Sequence, residues 1–257
     1  MIFIVNIEKE SKYMLKVGIA GVPDQEILDR YKKIGVEIVD LDMPIDGVDY
    51  FDVIEKLSPK IYCATLKTVF VNALTLTPDV IVADVGEGKC DGMRFIAEVL
   101  RDLLPDTEII TTRNVNTKPQ GNPISVSDLP LKEKMNRIVN SVIMEVDKNV
   151  TPCKPTAGFW GVPPRDFSIL DLFPNTTNIY GWARCMENKA PENMEIEMYV
   201  DEGIPIVFIA QSFCQKTMLA KYLASKYNGL FVDVDAQLDD STRAKVIAFL
   251  TLRGAII

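Results

Sequence analysis

The chain has 257 residues, of which 47% are hydrophobic and 25% charged, and it carries a net charge of −8 at pH 7. This balance is typical of a soluble globular protein, and no apolar run approaches the ~20 residues of a membrane-spanning helix. The opening MIFIVNIEKES becomes acidic too soon for a secretory signal. The negative charge disfavours a nucleic-acid partner, which is held by neutralising phosphates. Five scattered cysteines without a CxxC pair predict reduced thiols and a cytoplasmic location.

The chain contains no histidine. This absence excludes, within the chain, a Ser-His or Cys-His catalytic pair and a histidine-ligated zinc site. A general base would have to be a carboxylate, a lysine, a tyrosine or water. The composition therefore favours chemistry on a substrate or cofactor that is already activated.

The amino-terminal half alternates between short apolar runs and amphipathic segments. Strands are predicted at 15–20, 36–41, 79–84 and 108–112, and helices at 24–34, 50–57 and 92–104, with a strand or buried segment at 61–64. Asp24 is the predicted N-cap of the first helix, and Gly35 ends it. This alternation predicts an α/β, Rossmann-like fold with a mostly parallel sheet covered by helices on both faces.

Ligands of such sheets bind beyond the carboxyl ends of the strands. The predicted cofactor-binding residues therefore lie at or near these ends: Gly18, Ala20, Gly21, Asp40, Asp42, Asp84, Gly86, Glu87, Thr111 and Thr112. The first turn has GxxG rather than GxGxxG and contains Pro23, which disfavours a pyrophosphate cradle. A nucleoside without a diphosphate, such as S-adenosylmethionine, fits better, with its ribose on an acid. Alternatively, the glycines only shape turns and the aspartates cap helices.

A Pro/Gly/Ser-rich loop at 118–130 precedes a long predicted helix at 131–147. Ser127 or Asp128 is the predicted N-cap. A wide apolar stripe along the helix predicts that it packs on the sheet or on a second subunit, so we expect a homodimer.

The stretch from 151 to 186 shows neither helical nor strand periodicity, yet it is rich in proline and contains both tryptophans of the chain. Large aromatic side chains bury much surface, and they favour pocket walls where one end of the side chain can meet a polar group. The stretch is therefore either an irregular insertion that forms the wall of a substrate pocket or a packed connection between two α/β segments.

The carboxyl-terminal part returns to α/β alternation. Strands are predicted at 204–210 and 230–235, helices at 216–226 and 241–250, and an extended or helical edge at 195–200. These elements either extend the first sheet or form a second lobe. Among the nearby acids Asp233, Asp235, Asp239 and Asp240, we expect strand-end and helix-start residues rather than a metal site.

The residues predict one Rossmann-like α/β domain over 1–257. Its nucleoside-binding half spans about 15–130, the helix and aromatic wall about 131–190, and a further β-α-β segment about 195–257.

Two runs, TPCKPTAGFWGVPPRDFSILDLFPNTTNIYGWARCMENK and IPIVFIAQSFCQKTMLAKYLASKYNGLFVDVD, resemble the HcgC family of methanogenic archaea. The resemblance extends from about residue 15 onward. It implies a homodimeric enzyme that uses S-adenosylmethionine to methylate a ring carbon of a pyridinol precursor. The product belongs to the biosynthesis of the iron-guanylylpyridinol cofactor of iron-only hydrogenase, whose other biosynthetic proteins are possible partners. On this sequence, the resemblance implies pyridinol contacts from Thr176 and Thr177.

A hydroxypyridine is electron-rich and the sulfonium methyl is electrophilic, so catalysis would rest mainly on alignment. We expect hydrogen bonds to the ring oxygen from the catalytic candidates Thr176, Thr177 and Gln211. The substrate-binding candidates are Cys153, Lys154, Pro155, Thr156, Trp160, Arg165 and Ser212. The alternative interpretations are an inert or merely poised thiol at Cys153, structural salt bridges at Lys154 and Arg165, and packing at Trp160.

Two other functions stay open at this point. A Rossmann-like domain also occurs in oxidoreductases that use NAD(P), although these require the phosphate cradle that the first turn lacks. A non-catalytic binding or scaffold protein would show no stabilisation by a nucleoside ligand.

Overall fold

The computed structural model describes residues 14–45, 47–48, 50, 63–87, 89–234 and 237–256. They form two four-stranded sheets, each entirely parallel, with helices between the strands. The predicted α/β, Rossmann-like fold is therefore confirmed. The carboxyl-terminal strands form a second sheet rather than an extension of the first, which decides between the two arrangements that the sequence allowed.

The first sheet has the strand order β2-β1-β3-β4. Its elements are β1 (Lys16–Ala20), α1 (Gln25–Lys33), β2 (Glu37–Asp40), α2 (Ala64–Leu76), β3 (Val80–Asp84), α3 (Asp91–Leu103) and β4 (Glu108–Thr112). Strand β3 is buried along its whole length, as expected for a central strand covered on both faces.

The second sheet repeats that order as β6-β5-β7-β8. Helix α4 (Leu131–Ile143) precedes this sheet. The elements of the second half are then β5 (Ala157–Gly161), a 3-10 helix (Phe167–Leu172), β6 (Thr177–Tyr180), α5 (Trp182–Asn188), α6 (Met194–Met198), β7 (Ile206–Gln211), α7 (Thr217–Lys226), β8 (Leu230–Val234) and α8 (Asp240–Leu252). The two halves thus share one topology, with the first strand of each half lying inside its sheet.

One hydrophobic core connects the two sheets. It contains Val17 and Ile19 from β1, Ile138 from α4, and Phe159 and Val207 from β5 and β7. Helix α4 turns its buried stripe toward this core, as its apolar periodicity predicts. The sheets are therefore held against each other by packing.

Several boundaries differ from the predictions. Ala64 begins helix α2 rather than ending a strand, and the remainder of the predicted 61–64 segment and of the 50–57 helix falls mostly outside the described residues. Helix α4 ends at Ile143, and its N-cap is Pro130 without a side-chain cap bond, so Ser127 and Asp128 were wrong as caps. The Ser127 hydroxyl instead donates to the Ile124 carbonyl.

The 151–186 stretch is not irregular, which corrects the prediction of an insertion. It contains β5 and β6, a 3-10 helix and the start of α5. Both strands are fully buried, so they lack the alternation that identifies a half-exposed strand. Among the described residues, no helix has the length and apolar character needed to cross a membrane.

Candidate functional site

A cavity of about 590 Å3 lies between the carboxyl ends of the two sheets. From the first half it is lined by turns that follow β1, β2 and β3, and from the second half by turns that follow β5, β6 and β7. Because the strands of each sheet are parallel, their loops collect at one edge, and here the two edges face each other. This volume falls in the range of roughly 300–1,000 Å3 found for small-molecule sites.

Two neighbouring aspartates form one corner of the cavity. The Asp42 backbone N–H donates to Asp40 Oδ1 at 2.8 Å, and both side chains line the cavity. Burial raises the pKa of Asp42 to about 6, and burial followed by the charge of Asp42 raises the pKa of Asp40 well above its usual value. A cation placed beside two close, desolvated carboxyls stabilises their ionised forms, so this corner favours a positively charged ligand group.

The turn after β1 is occupied by carboxylates of the chain itself. The Gly21 N–H donates to Asp42 Oδ2 at 2.6 Å, and Gly21 has φ +80, which glycine adopts without strain. Asp24 caps helix α1 as predicted, since its side chain accepts from the Glu26 N–H at 2.8 Å. The Gly21 and Glu26 amides, which a dinucleotide cradle would use for phosphate, therefore already bind aspartate oxygens.

A third carboxyl, Asp84, ends strand β3. Its Oδ1 accepts from the Asn114 N–H at 2.9 Å, and the ammonium of Lys89 lies 3.9 Å from Oδ2. Burial nevertheless raises the pKa of Asp84 to about 7. Lys89 also pairs with Glu192 at 3.5 Å and donates to the Asn114 carbonyl at 2.8 Å. This corner is therefore a linked network that can exchange a proton near neutral pH.

The second half supplies an apolar wall and a second lysine. Val162 and Pro163 follow β5, and Trp182 follows β6. The ammonium of Lys216 lies 4.7 Å from the centre of the Trp182 ring and pairs with the buried carboxylate of Glu197. This side of the cavity therefore combines apolar groups with a cation that lies over the Trp182 ring.

Three thiols also line the cavity, from Cys63, Cys90 and Cys214. Cys63 and Cys90 occupy the N-cap positions of α2 and α3, and Cys214 lies in the turn between β7 and α7. No sequence signal identifies this cluster, since the three residues are far apart and share no motif. Within the described residues, no group of three cysteine or acidic side chains has the arrangement of a metal site.

Six of the ten predicted cofactor-binding residues line the cavity: Gly21, Asp40, Asp42, Asp84, Gly86 and Glu87. The other four do not. Gly18 and Ala20 lie within β1, where Gly18 gives room to the Leu41 side chain and Ala20 is fully buried. Thr111 and Thr112 end β4, at the side of the sheet.

The residues predicted to hold the pyridinol lie at the amino ends of strands in the second sheet, opposite the carboxyl ends that face the cavity. Residues 153–156 precede β5, and Thr176 and Thr177 lie at the start of β6, so Cys153, Lys154, Pro155, Thr156, Thr176 and Thr177 are all at the amino ends of these strands. Thr177 donates to the Pro174 carbonyl at 2.7 Å, and the hydroxyls of Thr156 and Thr176 lie 2.6 Å apart. The structure therefore does not bring these residues to the cavity. The prediction grouped them by their closeness along the chain and did not take the direction of the strands into account.

The remaining candidates also lie outside the cavity lining. Trp160 is buried in β5 and donates to the Glu197 carbonyl at 2.8 Å. Gln211 ends β7 with its amide fully buried and without a hydrogen-bond partner among the described residues. The Ser212 hydroxyl donates to Asp233 at 2.8 Å.

Arg165 lines a second cavity of about 480 Å3 together with Arg243. Its guanidinium lies 4.5 Å from the centre of the Tyr50 ring. The expected helix-start roles agree with the structure, since Asp239 caps α8 and Asp240 lies in its first turn, whereas Asp233 lies within β8. Asp235 lies outside the described residues.

No protein-family model matches the chain, and a search of curated proteins finds no significant match. The membership of the HcgC family, the homodimer and the link to cofactor-biosynthesis proteins therefore remain predictions from the sequence. The geometry of the cavity is the basis on which a function can be proposed.

Proposed function

We propose that the protein is an S-adenosylmethionine-dependent methyltransferase that methylates a ring carbon of a hydroxypyridine. The donor would bind to the carboxyl ends of the first sheet, and the acceptor would lie against the Trp182 wall of the second. The support is geometric, since one cavity joins the two halves and its two sides differ in chemistry.

The observation that carries the proposal is the hydrogen bond from the Gly21 N–H to Asp42. A nicotinamide dinucleotide places its diphosphate on this turn and on the following helix start. Here a carboxylate already accepts the amide, and it would repel a phosphate. A nucleoside ligand without phosphates avoids both costs, and its ribose hydroxyls can donate to Asp40 or Asp42.

The charge of the cavity also favours a sulfonium over a dinucleotide. Its lining contains six acidic residues, namely Asp40, Asp42, Asp84, Glu87, Asp91 and Glu197, and two lysines, namely Lys89 and Lys216. A cation held in this partly desolvated space is attracted more strongly than it would be in water. The raised pKa values of Asp42 and Asp84 fit the same ligand, since a bound cation draws these carboxyls toward their ionised forms.

The proposed reaction requires little proton transfer by side chains of the protein. The ring carbon forms a bond to the sulfonium methyl, the methyl–sulfur bond breaks, its electron pair remains on sulfur, and the ring proton leaves to water. Trp182, Val162 and Pro163 would orient the ring, and the Lys216 ammonium would stabilise an ionised ring oxygen. Alignment of this kind lowers barriers by roughly 7–11 kcal/mol, which suits a chain without histidine.

Thermal unfolding with S-adenosylmethionine, S-adenosylhomocysteine, NAD and NADP tests the donor. A ligand that binds only the folded state raises the melting temperature. We expect both adenosyl compounds to raise it and neither dinucleotide to do so. A rise with NAD or NADP and none with the adenosyl compounds would favour an oxidoreductase, and no rise with any of them would favour a scaffold.

A further inference from the structure

A pair of thiols joins the two halves of the molecule across the cavity. Cys63 belongs to the start of α2 in the first half, and Cys214 belongs to the turn after β7 in the second. Both line the cavity, and the Cys214 side chain lies beside Cys63, against the hydrophobic cluster to which Cys63 belongs. Methyl transfer has no use for this pair, so a role for the two thiols does not depend on that activity.

The surroundings of Cys63 stabilise a thiolate. The neighbouring Cys214 thiol, followed by the Leu66 and Thr65 groups at the helix start, lowers the pKa of Cys63 to about 6, although the residue is only 8% exposed. The thiolate is the reactive form of cysteine, so Cys63 combines a nucleophile with access from the cavity.

Cys90 shows that a helix start alone does not produce this state. It also occupies an N-cap position and lines the same cavity, and the backbone amides of Met93 and Gly92 favour its thiolate. Burial nevertheless raises the pKa of Cys90. The principal difference is the second thiol, which lowers the pKa of Cys63 and not that of Cys90.

The backbone that presents Cys214 is strained. Phe213, the residue before it, has φ 66, a conformation that bulky side chains rarely adopt, and it is 59% exposed rather than packed in a core. The Cys214 N–H donates to the Gln211 carbonyl at 2.9 Å, which closes the turn. A strained turn that carries no large buried side chain is typical of a functional position.

We propose that Cys63 and Cys214 form a thiol modification site that reacts with low-molecular-weight disulfides. The Cys63 thiolate attacks one sulfur of the reagent RSSR, a Cys63–SR bond forms, and RS⁻ leaves. Cys214 then gives its proton to water and attacks the Cys63 sulfur, which releases the second RS⁻. The pair is oxidised by two electrons to an intramolecular disulfide, and the reagent is reduced to two thiols.

The final bond requires the two sulfurs to approach to about 2.05 Å. The turn that carries Cys214 is a short loop, and it ends before α7 begins at Thr217. The disulfide would tie this turn to the start of α2 and thereby connect the two halves covalently across the cavity.

The test uses 4,4′-dithiodipyridine, a neutral disulfide that the acidic cavity does not repel, at one molecule per protein and pH 7. In the parent chain we expect release of two molecules of thiopyridone and a Cys63–Cys214 linked peptide in a non-reducing digest. Cys214→Ser keeps a hydroxyl donor beside Cys63, so it should release one molecule and retain a mixed disulfide on Cys63.

Cys90→Ser is the matched control, since it removes a thiol from the same cavity and should leave the fast reaction unchanged. Cys63→Ser should slow the first release about 10-fold or more, because it removes the thiolate that attacks the reagent. The proposal is overturned if the parent chain yields a label on Cys153 or Cys90 first, or a lasting mixed disulfide on Cys63 without the linked peptide. The peptide map of the parent chain decides this even if a variant folds poorly.

Discussion

The two sheets have the same strand order but differ in the residues that end their strands. In the first sheet, β2 and β3 end in Asp40 and Asp84, and both carboxyls line the cavity. In the second, β6 and β7 end in Tyr180 and Gln211, which are buried and lie outside the cavity lining. One topology thus supports a charged edge in one half and an apolar wall in the other.

This difference teaches that the position of a site follows from topology, whereas its chemistry follows from the few residues beyond the strands. The first half contributes acids that favour a cation and occupy the amides that a diphosphate would need. The second half contributes Trp182 and Lys216. Neither half alone would present a donor and an acceptor to each other.

The largest expected effect at a fixed pH is a loss of stability when a methyl group is added to a glycine of an inner strand, at Gly161 in the second sheet or at Gly18 in the first. An added Cβ at Gly161 in β5 would lie 2.5 Å from the Ile209 carbonyl oxygen, a backbone atom that cannot turn away. At Gly18 in β1, the closest atom is Leu41 Cδ1 at 2.8 Å, which belongs to a flexible side chain. We expect Gly161→Ala to lower the free energy of unfolding by about 3 kcal/mol and Gly18→Ala by about 1 kcal/mol.

Urea denaturation of the two variants measures this difference. Equal losses would mean that the backbone of the second sheet relaxes as easily as the side chains around the first.

The next effect is a pH dependence of stability that arises from the buried carboxyl of Asp84 at the end of β3. Because burial raises the pKa of Asp84 to about 7, the folded state binds its proton more tightly than the unfolded state does. This contribution to stability is therefore complete below about pH 4 and is lost as the pH rises through 7. Asp84→Asn keeps an oxygen for the Asn114 N–H and does not titrate.

The variant should consequently gain about 4 kcal/mol of stability relative to the parent between pH 4 and pH 8, by urea denaturation. Asp233→Asn, at an exposed position on β8, is the control and should show no such gain. A constant difference between Asp84→Asn and the parent across this range would mean that Asp84 is ionised throughout.

A smaller effect separates the cationic donor from its neutral product. Asp42→Asn retains an acceptor for the Gly21 N–H but removes the charge. We expect it to weaken S-adenosylmethionine binding about 10-fold and S-adenosylhomocysteine binding much less, since only the former carries a sulfonium. Calorimetric titration at pH 7.5, where the Asp42 carboxyl with its pKa of about 6 is mostly ionised, measures both affinities.

The matched control for this change is Asp24→Asn, which alters a helix cap outside the cavity lining. Equal weakening of both ligands by Asp42→Asn would show that the carboxylate supports the turn rather than the charge of the donor.

The smallest effect is expected at Ser212. Its hydroxyl donates to Asp233 at the exposed end of the second sheet, outside the cavity lining. Ser212→Ala should therefore change ligand affinity and unfolding free energy by less than about 0.5 kcal/mol. A clear loss of binding would restore Ser212 as a substrate contact and would extend the site beyond the cavity.

The sequence predicts the four strands and the helices α1 and α3 of the first half, because these strands end in polar residues and these two helices are amphipathic. Helix α2 was missed because eight of its residues are buried, Thr68 and Asn72 among them, so no polar face marks it. Strands β5 and β6 were missed because both are short and buried on both faces.

The site could be predicted only where chain order and strand direction coincide. The positions of Asp40, Asp42 and Asp84 at the cavity could be predicted because each residue ends or follows a recognisable strand. The positions of Thr176 and Thr177, at the amino end of β6 and away from the cavity, could not be predicted because β6 has no recognisable pattern. The Cys63–Cys214 pair depends on how the two sheets face each other, which no local pattern encodes.

The most direct test of the central claim is a crystal structure with S-adenosylhomocysteine. The proposal predicts the ribose at Asp40 and Asp42 and the sulfur directed across the cavity toward Trp182. An adenosyl group bound elsewhere, or a sulfur directed away from the second sheet, would contradict it.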